Sequence, residues 1–434
     1  MTESTADGSP ARPSLAGFLR EVRGVPAVVF ATCLIGWALS SMDQSLFGYA
    51  IPGIRAEFGA GIDDVGWVLS VSFVFAACAS AGIGLLTDIY GRRVMFMICL
   101  AASALLVGTH AFVIGLVSLT VLRMLAFGMG NGLSPITNSY VAETAPSRYR
   151  GMMIALLQCG YPLGWFAASL FVAPLIANFG WRYIFMPALL VIPIAFLLAR
   201  QLPESARFAE ARRREKEQAA AGQGGGVRAK IGELFSPGLR HRTIVIGIVF
   251  FLYGGAYAGT AFYFPSYFNE FRGYTMEQAT EIVGISYGVG VLGYIAVAIL
   301  GEFVMTRRNV CVLWAVLGML AILALLWLPD SFAEDMVAFA VMSALLYGNA
   351  AALTMLLAES FPTRVRATAA GFAGSFMLNI GHAVFPVAVA SGIKSIGWQW
   401  AFTLGVVPPL LIVIVALLTL PNYKSGLDLD EIAR

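Results

Sequence analysis

Glu143-Thr-Ala-Pro146-Ser-Arg148-Tyr-Arg150 returns later in the chain as Glu359-Ser-Phe-Pro362-Thr-Arg364-Val-Arg366, at an offset of 216. Gly180-Trp181-Arg182-Tyr183-Ile-Phe185 returns as Gly397-Trp398-Gln399-Trp400-Ala-Phe402, at an offset of 217. A fainter third echo, Gly84-Leu-Leu-Thr-Asp88 against Gly301-Glu-Phe-Val-Met305, has the same 217 spacing. Three echoes within one residue of a common offset mark a chain built as two related halves.

Working outward from these echoes, the sequence between them is apolar. The chain has 434 residues, 59% of them hydrophobic and 12% charged. An ordinary soluble domain carries roughly twice that charge. A span of the bilayer needs about 20 mostly apolar residues. Such runs lie near 27–50, 65–86, 94–114, 116–140, 152–178 and 181–200. They resume near 243–268, 278–301, 309–328, 335–358, 368–392 and 398–420. In lipid each must be a helix, since an open strand leaves backbone groups unpaired. The expected fold is an all-α integral membrane protein of twelve transmembrane helices in two six-helix parallel repeats. Its parts are a tail at 1–24, a bundle at 25–200, a central loop at 201–242, a bundle at 243–420 and a tail at 421–434. The first apolar run is too long for a signal-peptide core and reads as a retained helix.

Lys and Arg set the orientation. With both termini in the cytoplasm, 23 of the 28 fall on the inner side. Arg55, Arg182, Arg272 and Lys394 fall outside, and Arg123 lies within a span. The central loop holds Arg212–Glu217 (RRREKE) and Gly222–Gly226 (GQGGG), which read as a solvated, headgroup-facing stretch. The net charge of +3 and the scatter of basic residues among apolar runs speak against a nucleic-acid partner. The expected setting is a bacterial-type inner (plasma) membrane, with a multi-pass monomer as the unit.

Parallel repeats about an axis along the membrane normal place a substrate site near the midplane, between the halves, opened to each side by rocking. Five cysteines (Cys33, Cys78, Cys99, Cys159 and Cys311) sit in apolar segments without CxxC spacing, and three histidines are scattered, so neither disulfides nor a metal site is expected. No HExxH or GxSxG occurs, and GQGGG lacks the Lys-Ser/Thr of a phosphate loop. The reading is a carrier without cofactor, not an enzyme.

Gly84-Leu-Leu-Thr-Asp88-Ile-Tyr-Gly91-Arg92-Arg93 lies between the second and third spans. Its glycines permit close helix contact, and its charges suit either a plain positive-inside loop or a latch that breaks as the carrier flips. The segment resembles the signature loop of the major facilitator superfamily. Ile89 replaces that family's usual basic residue, and Met305 stands where the second copy would carry an acid. The resemblance thus implies a latch carried mainly by the first half. Glu143, Arg150 and Gly151, with Glu359 and Arg366, are similar to the equivalent inner loops of the family. Pro203-Glu204-Ser205-Ala-Arg207 resembles a segment of its sugar-porter and organic-ion branches.

Asp43 is the clearest intramembrane acid, and an acid there is a functional-site candidate by default. Arg123 lies in the fourth span before Gly128, Gly130 and Gly132. An acid in the first helix and an arginine in the fourth resemble proton symporters of the superfamily, which implies a pair that makes and breaks to load and release a proton. A static bridge, or a shallow Asp43, is the plain alternative. Gln158 follows Gly151 by seven residues, a spacing similar to the sugar porters, whose glutamine there binds a hydroxyl. Gln158 also suits a simple bond between helices. Trp165 either lines the same pocket or packs. In the seventh span Tyr253-Gly-Gly-Ala-Tyr257 through Pro265 predicts a bent or broken helix. Tyr257 and Tyr263 are candidates to face substrate, whereas an outer aromatic belt suits Tyr263 and Tyr267 better. Asn379 and His382 share a face of the eleventh span, as carboxylate or proton ligands or as satisfied core groups. Asn349 and Asn138 are weaker candidates. The expected function is proton symport of a small polar organic solute, with an aromatic or sugar acid favoured. A sugar symporter, an uncoupled facilitator or a carrier-like sensor are the alternatives.

Overall fold

The computed structural model describes residues 15–203 and 227–422, and throughout them the regular structure is helical. Twelve helices are long and apolar enough to cross a membrane. The first six are Val25–Phe58, Ile62–Gly84, Arg92–Phe112, Leu116–Thr144, Arg150–Phe179 and Trp181–Gln201. The second six are Arg240–Phe271, Met276–Phe303, Arg307–Trp327, Phe332–Glu359, Ala370–Ile396 and Trp398–Leu418. Arg212–Glu217, Gly222–Gly226 and residues 204–207 lie outside the described residues. An even number of spans brings both chain ends to one end of the bundle, together with the central connection.

Prolines decide where these helices break. A proline has no N–H, so the carbonyl four residues earlier loses its helical donor. The fourth span divides into Leu116–Asn131 and Leu133–Thr144, ahead of Pro135. The fifth divides into Arg150–Leu157 and Gly160–Phe179, ahead of Pro162. The seventh stops at Ala261 and restarts at Phe264, next to Pro265, as its glycine and proline content predicts. The carbonyls released by Pro135, Pro162 and Pro386 belong to Asn131, Gln158 and His382.

The halves meet along two seams, the second span against the eleventh and the fifth against the eighth. Within each half, a glycine lets one helix sink into another. A Cβ on Gly164 would meet the Ala38 carbonyl oxygen at 2.3 Å, and one on Gly381 would meet that of Phe251 at 2.0 Å. These glycines are themselves 217 apart, so the repeat extends into the membrane interior beyond the three loop echoes. The Gly180/Gly397 echo has a similar cause. Both glycines adopt positive φ (89° and 82°) and close the preceding helix onto Ile176 and Ile393. Two residues on, Arg182 donates to the carbonyls of Ala111 and Val113, and Gln399 donates to that of Leu326.

The end opposite the termini is tied by charge. Arg55 pairs with Glu270, Arg182 with Glu57, Arg272 with Asp335 and Lys394 with Asp63. The first and last of these cross between the halves. Asp335 is fully buried and also accepts from Tyr274 at 2.6 Å. Burial, and then this bond, push the Tyr274 hydroxyl up to about 12. The aromatic-belt reading of Tyr263 and Tyr267 is corrected here. Both are fully buried, Tyr263 donating to the Pro386 carbonyl and Tyr267 packed among Phe271, Trp398 and Phe402. The broken seventh helix turns its final turns inward, away from the bilayer.

Candidate functional site

Asp43 lies mid-way along the first span with no exposure, and neither carboxylate oxygen has a hydrogen-bond partner among the described residues. Its neighbours on the same helix face the fourth span. The Ser40 hydroxyl donates to the Gly130 carbonyl at 3.1 Å, and the Gln44 carbonyl accepts from Arg123 at 3.5 Å. Arg123 is also buried. Its guanidinium sits over the rings of Phe47 (4.4 Å) and Phe127 (4.8 Å), and its Nε has no partner. A static Asp43–Arg123 bridge is absent in this conformation, although Phe47 lies one helical turn from Asp43. The arginine is held by π-faces.

An aromatic cluster lies where the two halves meet, with Tyr161 from the first half and Tyr257, Tyr287 and Tyr347 from the second. Tyr257 contacts Tyr161 (5.6 Å), Tyr347 (4.7 Å) and His382 (6.0 Å), and its hydroxyl lies 3.4 Å from that of Tyr287. Trp165 stacks on Tyr287 at 4.8 Å, fully buried, with its indole N–H unpartnered. Trp165 thus lies in the fifth–eighth seam, packed on Tyr287. His382 meets Phe73 edge-on at 4.8 Å, and its ring nitrogens make no hydrogen bond among the described residues. Gln158 holds a buried, unpartnered Oε1, and Asn349 has both amide atoms buried and unpartnered. Asn138 instead bonds its own helix at Ser134. Asn379 accepts at 2.9 Å from Asn131, a residue that the sequence did not single out. Tyr161, Tyr287 and Tyr347 were also missed, because an aromatic in an apolar run carries no sign of which way it faces. Among the described residues no group of three or more His, Cys, Asp or Glu side chains is placed to hold a metal ion.

At the terminus-bearing end, Arg92 pairs with Glu143. Gly91 has φ 91°, a backbone that requires glycine. Among the described residues nothing lies within 4 Å of a Cβ placed on Gly84. The Asp88 side chain lies outside the described residues, and Arg93 makes no ion pair among them. Arg150 opens the fifth span, and Arg366 donates to the Phe361 carbonyl at 3.2 Å. The second half has its own, more buried cluster. Arg307 pairs with Glu302 (2.7 Å) and Glu359 (2.9 Å) and also donates to the Gly301 carbonyl. The expectation that these charges concentrate in the first half is thus corrected, since both halves carry an ion-paired arginine at this end. Glu302 supplies the acid that Met305 lacks, one turn earlier on the helix. The cluster also reaches the first half, since a Cβ on Gly151 would meet Glu359 at 3.0 Å.

Residues 33–386 match the family model described as Major Facilitator Superfamily. The cis,cis-muconate transport protein of Acinetobacter baylyi is 28% identical over 410 residues, covering 89% of this chain and 94% of that one. The gallate transporter of Pseudomonas putida is 28% identical over 433 residues, covering 94% and 92%. Among solved structures, the proton:xylose symporter XylE superposes with a TM-score of 0.70 at 16% identity, covering 94% of this chain and 99% of that one. That likeness concerns the fold. Twelve membrane helices in two parallel halves and these matches along nearly the whole chain place the protein in the major facilitator superfamily of membrane transporters.

Proposed function

We propose that this chain is a proton-coupled carrier of a small organic acid, an aromatic carboxylate above all, working as a monomer by alternating access. The observation that carries the coupling is Asp43, fully buried with both oxygens unpartnered. A carboxylate in the membrane interior is costly unless it is protonated or paired. Arg123 is close enough to take the pairing role after a small rearrangement, since it already bonds the Gln44 carbonyl. Exchanging a proton for an arginine at Asp43 loads and releases the coupling ion. The solute class follows from the relatives that carry muconate and gallate. The cluster of Tyr161, Tyr257, Tyr347 and His382 suits a planar ring, and Arg123 and His382 are the cationic or proton-bearing groups available to a carboxylate. The lysine and arginine distribution supports a reading with both termini in the cytoplasm and the bundle in an inner membrane, and Gln158, Asn349 and Asn379 are proposed as further solute contacts.

Uptake of labelled 4-hydroxybenzoate and benzoate into proteoliposomes tests the reading. Accumulation driven by an inward proton gradient is expected in the wild type. Asp43→Asn is expected to equilibrate solute without concentrating it. Equal accumulation by the variant would refute coupling through Asp43.

A further inference from the structure

Asn131 and Asn379 join the fourth span to the eleventh, and so one half to the other, by an amide–amide bond of 2.9 Å near the middle of both spans. The orientation of this pair is fixed. The Ser375 carbonyl, four residues back on the same helix, accepts only a donor, so Asn379 turns Nδ2 to it at 2.9 Å and presents Oδ1 across the axis. Asn131 must then donate. Its backbone adds a second acceptor, because Pro135 cannot supply the helical donor to the Asn131 carbonyl. No side chain donates to that carbonyl among the described residues. Asn131 is also firmly attached to its own half. Cβ atoms on its neighbours Gly128 and Gly132 would meet Phe75 at 2.8 Å and Ile83 at 2.3 Å, both on the second span. Its counterpart in the second half by the 217 offset is Gly348, so the pair is not part of the doubled scaffold.

We infer that Asn131 and Asn379 read a hydroxyl group on the solute, and that the bond between them is the contact this hydroxyl replaces. A hydroxyl both donates and accepts. Inserted between the amides, it accepts from Asn131 Nδ2 and donates to Asn379 Oδ1, so each amide keeps a partner. A carboxylate only accepts. It would find one donor here and, opposite it, the Asn379 Oδ1 oxygen. A bare ring edge would break the amide bond and replace nothing, which leaves buried polar groups unpaired. The carboxylate end of the solute therefore belongs with Arg123 and His382, and the hydroxyl end with the asparagines.

The inference rests on the aromatic-acid reading, and one experiment separates the two. Uptake kinetics are measured in proteoliposomes for 4-hydroxybenzoate and benzoate, in wild type, Asn131→Ala and Asn379→Ala. Either variant is expected to raise KM for the hydroxylated acid about tenfold, the weight of one hydrogen bond, and to lower KM for benzoate, which then has no amide bond to break. Because the two variants lie on different helices, one that does not fold leaves the other to be read. Equal losses for both acids, or no change for either, would overturn the inference. A wild type inert to both acids overturns the aromatic-acid reading instead. The same contrast is then read with xylose and a deoxy-xylose, and a wild type inert to all four solutes sinks both.

Discussion

Arg92 and Arg307 each stand at the first position of a helix and each reach a glutamate at the far end of the next one, Glu143 and Glu359. Their surroundings differ. The Arg307 and Glu302 side chains are 5% and 2% exposed, whereas those of Arg92 and Glu143 are 15% and 27% exposed. Removing one partner of a buried pair leaves an uncompensated charge, at a cost of about 3–5 kcal/mol, while a more exposed pair contributes less. Arg307→Ala is thus expected to lower the melting temperature of the detergent-purified protein clearly more than Arg92→Ala. Equal losses would show that burial does not separate the two clusters. Sequence reasoning saw Arg92 and missed Arg307 for a physical reason. The helix of the second span runs on past Gly84 to Tyr90, whereas that of the eighth ends at Phe303, four residues short of the 217 offset, and its connection to Arg307 (Val304, Met305 and Thr306) is only two residues longer than Gly91. The arginines are therefore 215 apart, out of register with the 217 that aligns the membrane glycines. Asp43 and Arg123 were legible because charges stand out in apolar runs. Asn131 was hidden among glycines, and only the helix opposite reveals its partner.

At the scale of helices, the sequence announced each span through length and composition, and the prolines announced where spans break. What it could not give was which glycine is pressed against a neighbour, since a close approach depends on a partner remote in sequence. Gly164 and Gly84 illustrate the difference. A methyl at Gly164 runs into backbone of the first span, at the Ala38 carbonyl (2.3 Å) and the Met42 nitrogen (2.6 Å), and backbone cannot step aside as a side chain can. Gly164→Ala should force the first and fifth spans apart, costing about 1–3 kcal/mol as overpacking does. Among the described residues no atom lies within 4 Å of a Gly84 Cβ, and alanine favours helix over glycine by up to about 1 kcal/mol. Gly84→Ala should leave the melting temperature unchanged or slightly raised, whatever it does to transport. A Gly164→Ala protein as heat-stable as wild type would contradict the close approach.

For the whole molecule, the two halves are joined unequally at the two ends. Arg55–Glu270 and Lys394–Asp63 cross between the halves at the end away from the termini. At the other end, among the described residues, Glu359 and Arg307 lie against Gly151 across the halves. Both ion pairs are partly exposed, and such pairs contribute up to about 1 kcal/mol each. Together they hold that end closed by a margin near the size of one tenfold change in population. Spin labels placed across that end should report a larger open fraction in Arg55→Glu. The swap Arg55→Glu with Glu270→Arg should restore the wild-type distance distribution. Failure of the swap to restore it would mean that the pair does not set the balance. The hydropathy pattern and the repeat made the overall architecture readable beforehand. The closed end was not readable, because the sequence offered those four cations only as exceptions to a charge rule, with no sign that each had an acid waiting.

Those crossing pairs face the aqueous phase on one side of the bilayer. Dissolved salt on that side screens exposed charges over about 10 Å at 0.1 M and over shorter distances as it is concentrated. The electrolyte there behaves as an effector with no binding pocket. The carrier is therefore expected to rest with that mouth shut in dilute solution and further toward open in concentrated salt, with solute and proton supply unchanged.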